Sequence, residues 1–290
     1  MVKIITGLFF LNTIFQSNME FCKILFRMEG VENAYPRLSN DSKRILYQSN
    51  ATGKWQLLIF DITNNIHKEV TKDKFNNNFA DWSTDNEWIT FVSDRDGNEE
   101  IYLMRSNGKE IKRITTDKGR DIHPHFSPDG KQILFSSTRG NGSLDIYKYT
   151  IKTNSLERIT YTKEEELFAR YSPDMKKIVY SKMDDKTDDV FVLNVNTHVS
   201  ENLTNTPEIQ DGWPMYNKNG NWIYYSSTKN GSRCIFKMKP DGSEVTQVTY
   251  PTEENEEHAR VFVSQDEKTL IFNKKIGKTM EIWKIALNES

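Results

Sequence analysis

Hydrophobic and polar residues follow one another in a pattern that recurs six times along the chain. Its clearest copy is Pro124-His125-Phe126-Ser127-Pro128-Asp129-Gly130, in which a serine, here called the anchor, stands between an apolar residue and a polar turn. The six equivalent anchors are Ser39, Ser83, Ser127, Ser172, Asn217 and Ser264. Their separations of 44 to 47 residues indicate an internal structural repeat.

Other columns of the repeat are equally regular. One residue before the anchor is always apolar, as in Leu38, Trp82, Phe126, Tyr171, Tyr216 and Val263. Six residues after it stand Ile45, Ile89, Ile133, Ile178, Ile223 and Leu270. Eight residues after it stand Tyr47, Phe91, Phe135, Tyr180, Tyr225 and Phe272. This agreement in every copy shows that the repeat extends over the chain from about residue 34 onward.

Each of the first five repeats contains four short β-prone runs separated by polar turns, and the sixth contains three. The dipeptides Asp129-Gly130 and Asn219-Gly220 supply the positive φ that a tight hairpin needs. No stretch of helical length has apolar residues at a period of 3.6. Four strands in about 45 residues match one propeller blade. The sequence therefore predicts an all-β, six-bladed β-propeller with four-stranded blades.

The ring is expected to close through the N-terminal segment. The sixth repeat reaches Ser290 after only three strands, and the β-prone segment 21–27 precedes the first repeat. In the first three repeats the fourth strand ends in a threonine 12 residues before the next anchor, as Thr71 precedes Ser83, and the same offset from Ser39 falls on Arg27. We expect segment 21–27 to be the outer strand of the last blade, so that residues 19–290 form one propeller domain.

Residues 1–17 resemble a secretory signal peptide. Lys3 precedes the apolar run 4–15, which is too short to span a bilayer. The alternative is an extra strand or short helix on the folded domain. The signal reading predicts a periplasmic or extracellular protein, and the alternative a cytoplasmic one. The two cysteines, Cys22 and Cys234, form no metal-binding motif, and their spacing alone does not establish a disulfide.

Charge and composition narrow the classes of partner. The formal net charge is −2, from 39 basic and 41 acidic residues, which argues against a nucleic-acid binder. Hydrophobic residues make up 36% of the chain, which suits a soluble folded domain. No further apolar stretch is long enough for a membrane span. We expect a monomer.

The repeat resembles that of TolB-type propellers, also called the WD40-like or PD40 repeat. The resemblance rests on Pro124-x-Phe126-Ser127-Pro128-Asp129-Gly130, on 136–139 and on Asp145-Ile146-Tyr147, with degenerate copies at 171–174 and 80–83. The family includes the periplasmic TolB protein, propeller domains of prolyl oligopeptidase-like peptidases, tricorn-like proteins and oligogalacturonate lyases. The resemblance implies the propeller fold and leaves the function open.

The sequence contains no strong signal of catalytic activity. No G-x-S-x-G nucleophile elbow occurs, so a serine peptidase is not expected. His123 and His125 could share one face of a strand and hold a metal, but a channel-side or loop histidine pair is the simpler interpretation. The recurring aspartate two residues after the anchor is assigned to turn structure. Arg95 and Arg139 are expected to be solvated loop charges.

The predicted ligand site is one mouth of the central channel. Six positions before each anchor stand Asn33, Asn77, Asp121, Glu166, Asp211 and His258, here called the leading residues. If their carboxylates converge, a divalent cation (Ca²⁺ or Mg²⁺) or a basic peptide would relieve their repulsion. The alternative is a hydrated pore with solvated carboxylates.

Two functions remain open at this point. The first is a binding or scaffold propeller without catalytic activity, which engages a protein or peptide on its loop face or in the funnel of its central channel. The second is a metal-dependent carbohydrate-active enzyme similar to oligogalacturonate lyases, in which histidines hold a divalent metal in the channel. The complete ring, and the lack of a residue-by-residue match to the metal-binding histidines of the lyases, favour the first.

Overall fold

The computed structural model describes residues 23–26, 30–184 and 187–287, and these residues form 24 strands and no helix. The strands make six antiparallel sheets of four strands each. Blade 1 consists of β2 (Asn33–Leu38), β3 (Arg44–Ser49), β4 (Gln56–Asp61) and β5 (Ile66–Glu69). Blade 2 consists of β6 (Asn77–Trp82), β7 (Trp88–Ser93), β8 (Glu100–Arg105) and β9 (Lys112–Arg113). Blade 3 consists of β10 (Asp121–Phe126), β11 (Gln132–Ser137), β12 (Asp145–Thr150) and β13 (Ser155–Arg158).

The remaining blades continue the same order. Blade 4 consists of β14 (Glu165–Tyr171), β15 (Lys177–Met183), β16 (Asp188–Asn194) and β17 (Ser200–Asn202). Blade 5 consists of β18 (Asp211–Tyr216), β19 (Ile223–Asn230), β20 (Ser232–Met238) and β21 (Thr246–Gln247). Blade 6 consists of β22 (Glu256–Val263), β23 (Thr269–Ile276), β24 (Thr279–Ala286) and β1 (Lys23–Phe26). The predicted six-bladed propeller is confirmed.

The first strand of every blade is the inner one. β2, β6, β10, β14, β18 and β22 contact one another in sequence, and β22 contacts β2 to complete the circle. Apolar residues between neighbouring blades form the core. Ile45, Ile89, Ile133, Ile178, Ile223 and Leu270 are all fully buried, and the aromatic column eight residues after the anchor is at most 4% exposed. Both hydrophobic columns of the repeat therefore mark the packing between blades.

The closing strand lies where the repeat arithmetic placed it. β1 pairs antiparallel with β24, and Lys23 lies opposite Lys284 in the register. Blade 6 thereby gains the outer strand that its own repeat lacks, so ring closure by the N-terminal segment is confirmed. Residues 1–22, including the predicted signal peptide and Cys22, lie outside the described residues. Cys234, the other cysteine, is buried in β20.

A threonine two residues after the outer strand recurs in the first five blades. Its hydroxyl oxygen accepts a hydrogen bond from a backbone N–H of the third strand, at 2.8–3.0 Å. The five residues are Thr71, Thr115, Thr160, Thr204 and Thr249.

Among the described residues, no helix is long and apolar enough to cross a membrane.

Candidate functional site

Every inner strand bends at a β-bulge centred four residues before the anchor. The register with the second strand shifts there in all six blades. The central residue has a positive φ of 51° to 59° and is never glycine: Tyr35, Phe79, His123, Phe168, Trp213 and Arg260. Bulky residues rarely adopt this conformation. A bulge re-aims a side chain, and here it brings six side chains together in what we call the axial ring.

The axial ring is a continuous circle of contacts. Ring centroids are 4.8 Å apart for Tyr35–Phe79, 4.3 Å for Phe79–His123, 4.1 Å for His123–Phe168 and 5.4 Å for Phe168–Trp213. The Arg260 guanidinium completes it, 5.7 Å from the centroid of Trp213 and 4.4 Å from that of Tyr35. Tyr35 and His123 also stack at 6.2 Å, although they are not neighbours in the circle. The side chains therefore close the central channel at this level.

Neighbouring blades support three of the bulges directly. The backbone N–H of Tyr35 donates to Asn273 Oδ1 at 3.0 Å, and that of Phe79 donates to Gln48 Oε1 at 2.8 Å. The N–H of Trp213 donates to Ser181 Oγ at 3.1 Å. Each acceptor lies nine residues after the anchor of the preceding blade. The bulge N–H groups are thus satisfied between blades, which couples ring closure to the shape of the channel.

A second ring lies two residues before the anchor, and we call it the floor. Its members are Arg37, Asp81, His125, Arg170, Met215 and Phe262. Asp81 is the centre of its polar half: Oδ2 lies 3.3 Å from His125 Nδ1, and Oδ1 lies 3.8 Å from Arg37 Nε. The Phe126 N–H also donates to Asp81 at 3.2 Å. The Arg170 guanidinium instead faces Met215 Sδ, at 4.0 Å, and the Phe262 ring, at 6.0 Å.

Burial governs the charges of the floor. It lowers the pKa of His125 to about 3, helped by the charge of Arg170, so this imidazole is neutral at pH 7. It lowers the pKa of Arg170 to about 9, and that guanidinium stays mostly protonated at pH 7. Burial acts to raise the pKa of Asp81, but its hydrogen bond with His125 and the nearby arginines bring it below the usual value. The floor therefore carries two cations and one carboxylate.

Above the floor an open cavity of about 590 Å³ leads to solvent, and we call it the funnel. Its walls are the apolar column one residue before the anchor, including Trp82, Phe126, Tyr171 and Tyr216. Its rim is the position after the anchor: Asn40, Thr84, Pro128, Pro173, Lys218 and Gln265. Because the lining comes from all six blades, the funnel forms only when the ring is complete. Its size is typical of a ligand-binding cleft.

The leading residues lie at the opposite end of the inner strands from the funnel. All six are buried, at 0–4% exposure. Asp121 pairs with Arg139, and Asp211 accepts a hydrogen bond from Thr206 at 2.7 Å, whereas neither carboxylate oxygen of Glu166 has a hydrogen-bond partner among the described residues. His258 Nε2 lies 2.6 Å from Glu256 Oε1. The alternative of solvated carboxylates is wrong, because the blade interfaces enclose these groups. Cation or basic-peptide binding at this mouth stays a prediction.

Three of the leading residues are acids with acidic neighbours across a blade junction. Burial raises the pKa of Asp121 to about 6, and Glu100 of the preceding blade adds to the effect. Burial raises the pKa of Glu166 to about 7, with Asp145 as the acidic neighbour. Burial and Asp189 raise the pKa of Asp211. These groups hold protons more tightly than exposed acids do.

The loop arginines are not solvated, so that expectation is wrong. Arg95 donates to Asn77 Oδ1 at 2.9 Å, and its guanidinium carbon lies 5.0 Å from the centroid of Tyr102. Arg139 pairs with Asp121 and lies 5.2 Å from the centroid of Tyr147. Each arginine folds back over the aromatic residues of its own blade, which shield it from water.

The recurring turn aspartates have the structural role assigned to them. In five blades the anchor serine donates to the carboxylate two residues later, at 2.5–2.6 Å. His123 lies in the axial ring and His125 in the floor, so the pair is channel-side. In the part of the chain that the structure describes, no group of three or more His, Cys, Asp or Glu side chains is arranged to hold a metal.

Neither ring was predicted from the sequence, although each corresponds to one position of the repeat. Four residues before the anchor, five of six residues are aromatic or histidine. Two residues before it, four of six are charged or histidine within a strand that is otherwise buried. Comparing these columns as well would have found them. The positive φ would still have been missed, because no glycine marks the bulge.

The family described as the TolB beta propeller domain matches residues 32–207 and 169–290. TolB of Acinetobacter baumannii aligns with a TM-score of 0.67 and 26% identity, over 77% of this chain and 55% of that one. The chain thus spans about half the length of that protein. A putative TolB of Agrobacterium tumefaciens aligns with a TM-score of 0.69 and 17% identity, over 92% and 94% of the two chains.

Two further similarities broaden the comparison. An oligogalacturonate lyase in complex with manganese has a TM-score of 0.65 and 12% identity, over 90% of this chain and 91% of that one. At this identity the likeness concerns the fold alone. An uncharacterised protein of Agrobacterium fabrum is 32% identical over 65 residues, which is 22% of each chain.

Proposed function

The chain belongs to the TolB β-propeller family, and from that premise we propose that it is a binding propeller that engages a protein or peptide segment in the funnel. The observation that carries the proposal is the form of the funnel: an open mouth, apolar and aromatic walls, and a polar floor above a closed channel. A binding cleft typically combines apolar walls with a few polar groups that fix orientation. We propose the funnel as the binding site.

A peptide-retention experiment tests this proposal. A pool of random heptapeptides is passed over the immobilised protein, and the retained fraction is measured by mass spectrometry. The exposed rim residue Thr84 is replaced by tryptophan (Thr84→Trp) to narrow the mouth. Thr153→Trp, in an exposed turn at the outer edge of blade 3, is the matched control.

We expect the wild type and Thr153→Trp to retain the same peptides and Thr84→Trp to lose most of them. Equal retention by both variants would place peptide binding outside the funnel. Absence of retention by the wild type would contradict a peptide-binding function.

A second candidate is metal-dependent carbohydrate chemistry in the funnel. The observation in its favour is the His125–Asp81 pair, because a neutral imidazole and a carboxylate are suitable ligands for a divalent metal. The positive charges of Arg37 and Arg170 argue against this candidate, because they repel a metal cation. Calorimetric titration with Mn²⁺, followed by an assay of oligogalacturonate cleavage, distinguishes this candidate, and binding without cleavage would reject the enzyme.

We further propose export to the periplasm or outside the cell, in keeping with the resemblance of residues 1–17 to a signal peptide and with membership of a family that includes periplasmic TolB. A monomeric state accompanies this proposal and can be checked by light scattering. The leading residues are kept as a separate proposal for a cation site. Calorimetry with Ca²⁺ and Mg²⁺ tests it, and absence of heat at millimolar concentration would reject it.

A further inference from the structure

We propose that the funnel floor is a receptor for a carboxylate, and that the group it takes is the C-terminal carboxylate of a peptide, held by Arg170 with Arg37 behind it. This inference rests on the proposed peptide-binding function and specifies the ligand of the same site. It follows from an unbalanced charge, a closed channel and the chemistry of the walls.

Arg170 is the cation that has room for a ligand. Its guanidinium lines the funnel, and no carboxylate of the described residues lies within ion-pair distance of it. It donates a hydrogen bond to Met215 Sδ, at 4.0 Å, a weak acceptor, and Asp81 attracts it from beyond ion-pair distance. Asp81, the acid of the floor, is already engaged by His125, by Arg37 and by the Phe126 N–H.

The floor as a whole has a surplus of one positive charge. Arg37 and Arg170 are cations, Asp81 is an anion, and His125 is neutral at pH 7. Arg37 is only 5% exposed, and its Nε has no hydrogen-bond acceptor among the described residues. A buried cation without a full complement of partners is unfavourable. An incoming carboxylate would restore neutrality and could form the bidentate pair that guanidinium groups prefer.

The axial ring determines which kind of carboxylate fits. A segment that enters the funnel cannot continue along the axis, because six contacting side chains close the channel directly beneath the floor. The chain must therefore turn back or end there. A segment that ends there places its terminal carboxylate at the floor. Trp82, Tyr171 and Tyr216 in the walls then suit apolar side chains near that terminus.

The experiment compares two pools of random heptapeptides that differ only in the terminus. One pool carries a free C-terminal carboxylate, and the other is amidated. Both are applied to the wild type, to Arg170→Gln and to Arg105→Gln. Arg105 lies outside the funnel at the end of β8 and is partly exposed, so its variant makes the same change of charge elsewhere. Melting temperatures of all three proteins confirm that each is folded.

We expect the wild type and Arg105→Gln to retain the free-carboxylate pool about tenfold more strongly than the amidated pool. Arg170→Gln should retain the two pools equally. If the wild type binds both pools equally, or Arg170→Gln keeps the preference, the carboxylate inference is wrong while peptide binding stands. If neither pool is retained by the wild type, the proposed function fails with it.

Two further outcomes identify a different source of the carboxylate. Enrichment of Asp or Glu at one position of the amidated pool, without preference for a free terminus, would assign the floor to an acidic side chain and overturn the terminal assignment. Displacement of bound peptide by trigalacturonate at lower concentration than by any peptide would assign it to an acidic carbohydrate, and would overturn the peptide ligand.

Discussion

At the scale of single residues, the interior of this propeller depends on six bulky side chains held at positive φ. The conformation costs about 1–2 kcal/mol per residue for an L-amino acid. Burial and ring contacts in the axial ring offset this cost, and so do the interblade hydrogen bonds at Tyr35, Phe79 and Trp213. At any one of these positions, removing the side chain should therefore destabilise the fold, whereas relieving the backbone strain should stabilise it.

Phe79, with a φ of 51°, allows the two effects to be separated. Phe79→Ala should destabilise the protein by about 3 kcal/mol through loss of ring contacts. Phe79→Gly should destabilise it by about 1 kcal/mol less, because glycine adopts positive φ without strain. Urea unfolding measures both. At Ile89, buried in β7 on the same blade, glycine should be worse than alanine, and the same order at both positions would contradict the strain argument.

The buried acids at the blade junctions make stability depend on pH. Burial raises the pKa of Glu166 from 4.5 to about 7, with Asp145, Lys182 and Tyr180 nearby. The folded state therefore holds the proton more tightly than the unfolded state. The stability that this proton contributes is present below pH 4.5 and is lost as pH rises through 7.

Glu166→Gln should remove this loss. The variant should gain about 2 kcal/mol over the wild type between pH 5 and pH 8, because a neutral amide has no proton to lose. Urea unfolding at several pH values measures the difference in unfolding free energy between variant and wild type. The opposing titration of buried His123 and His125 is common to both proteins and cancels in this difference. The exposed Glu201→Gln serves as control, and a difference independent of pH would contradict the assignment.

At the scale of elements, the outer strand of each blade is attached by few bonds. In blades 1 to 5 the terminal threonine ties it to the third strand. In blade 6 the outer strand is β1, and its pairing with β24 closes the ring. Without β1, the backbone edge of β24 would be free to pair with another chain.

Deleting residues 1–27 should lower the melting temperature by more than about 5 °C and promote aggregation, because the ring opens and β24 becomes an edge. Deleting only residues 1–17, the predicted signal peptide, retains β1 and should leave the melting temperature within about 1 °C of the full chain. Differential scanning calorimetry compares the two truncations. Equal melting of both would mean that β1 contributes nothing to closure.

The sequence predicted these strands well because strand pairing and packing require the same kinds of residue at the same positions of every repeat. The repeat positions of Ile133 and Phe135 must be apolar in every blade to fill the space between sheets. The dipeptide Asp129-Gly130 must turn the chain. The floor and the axial ring vary from blade to blade, so no single residue type identifies them. The bulge at His123 re-aims side chains that a regular strand would place elsewhere, and an alternating pattern does not predict that change.

At the scale of the whole molecule, the two ends of the channel are chemically different. The funnel end is an open cleft with a cationic floor, and the other end carries the leading residues buried in the blade walls. The axial ring separates them. Ligands at the two ends, if both bind, cannot meet along the axis.

The signal-peptide reading of residues 1–17 predicts a processed protein. Intact mass measured on protein purified from its native host should correspond to a chain that has lost these residues, a loss that leaves β1, which begins at Lys23, in place. Retention of Met1 would support the cytoplasmic alternative.

Pairing of β1 with β24 also has a consequence for how the protein is made. Lys23 can pair with Lys284 only after Lys284 has left the ribosome, so the sheet that holds both forms after every strand between them has been synthesised. The strands of the other five blades have all been synthesised by then, while β1 at the start of the chain still lacks its partner in blade 6. Such a contact between distant residues folds slowly, because a long loop must close before any stabilisation is gained. Closure of blade 6 by β1 is therefore expected to be a late step of folding, and a nascent chain arrested before β22 still lacks the sixth wall of the funnel.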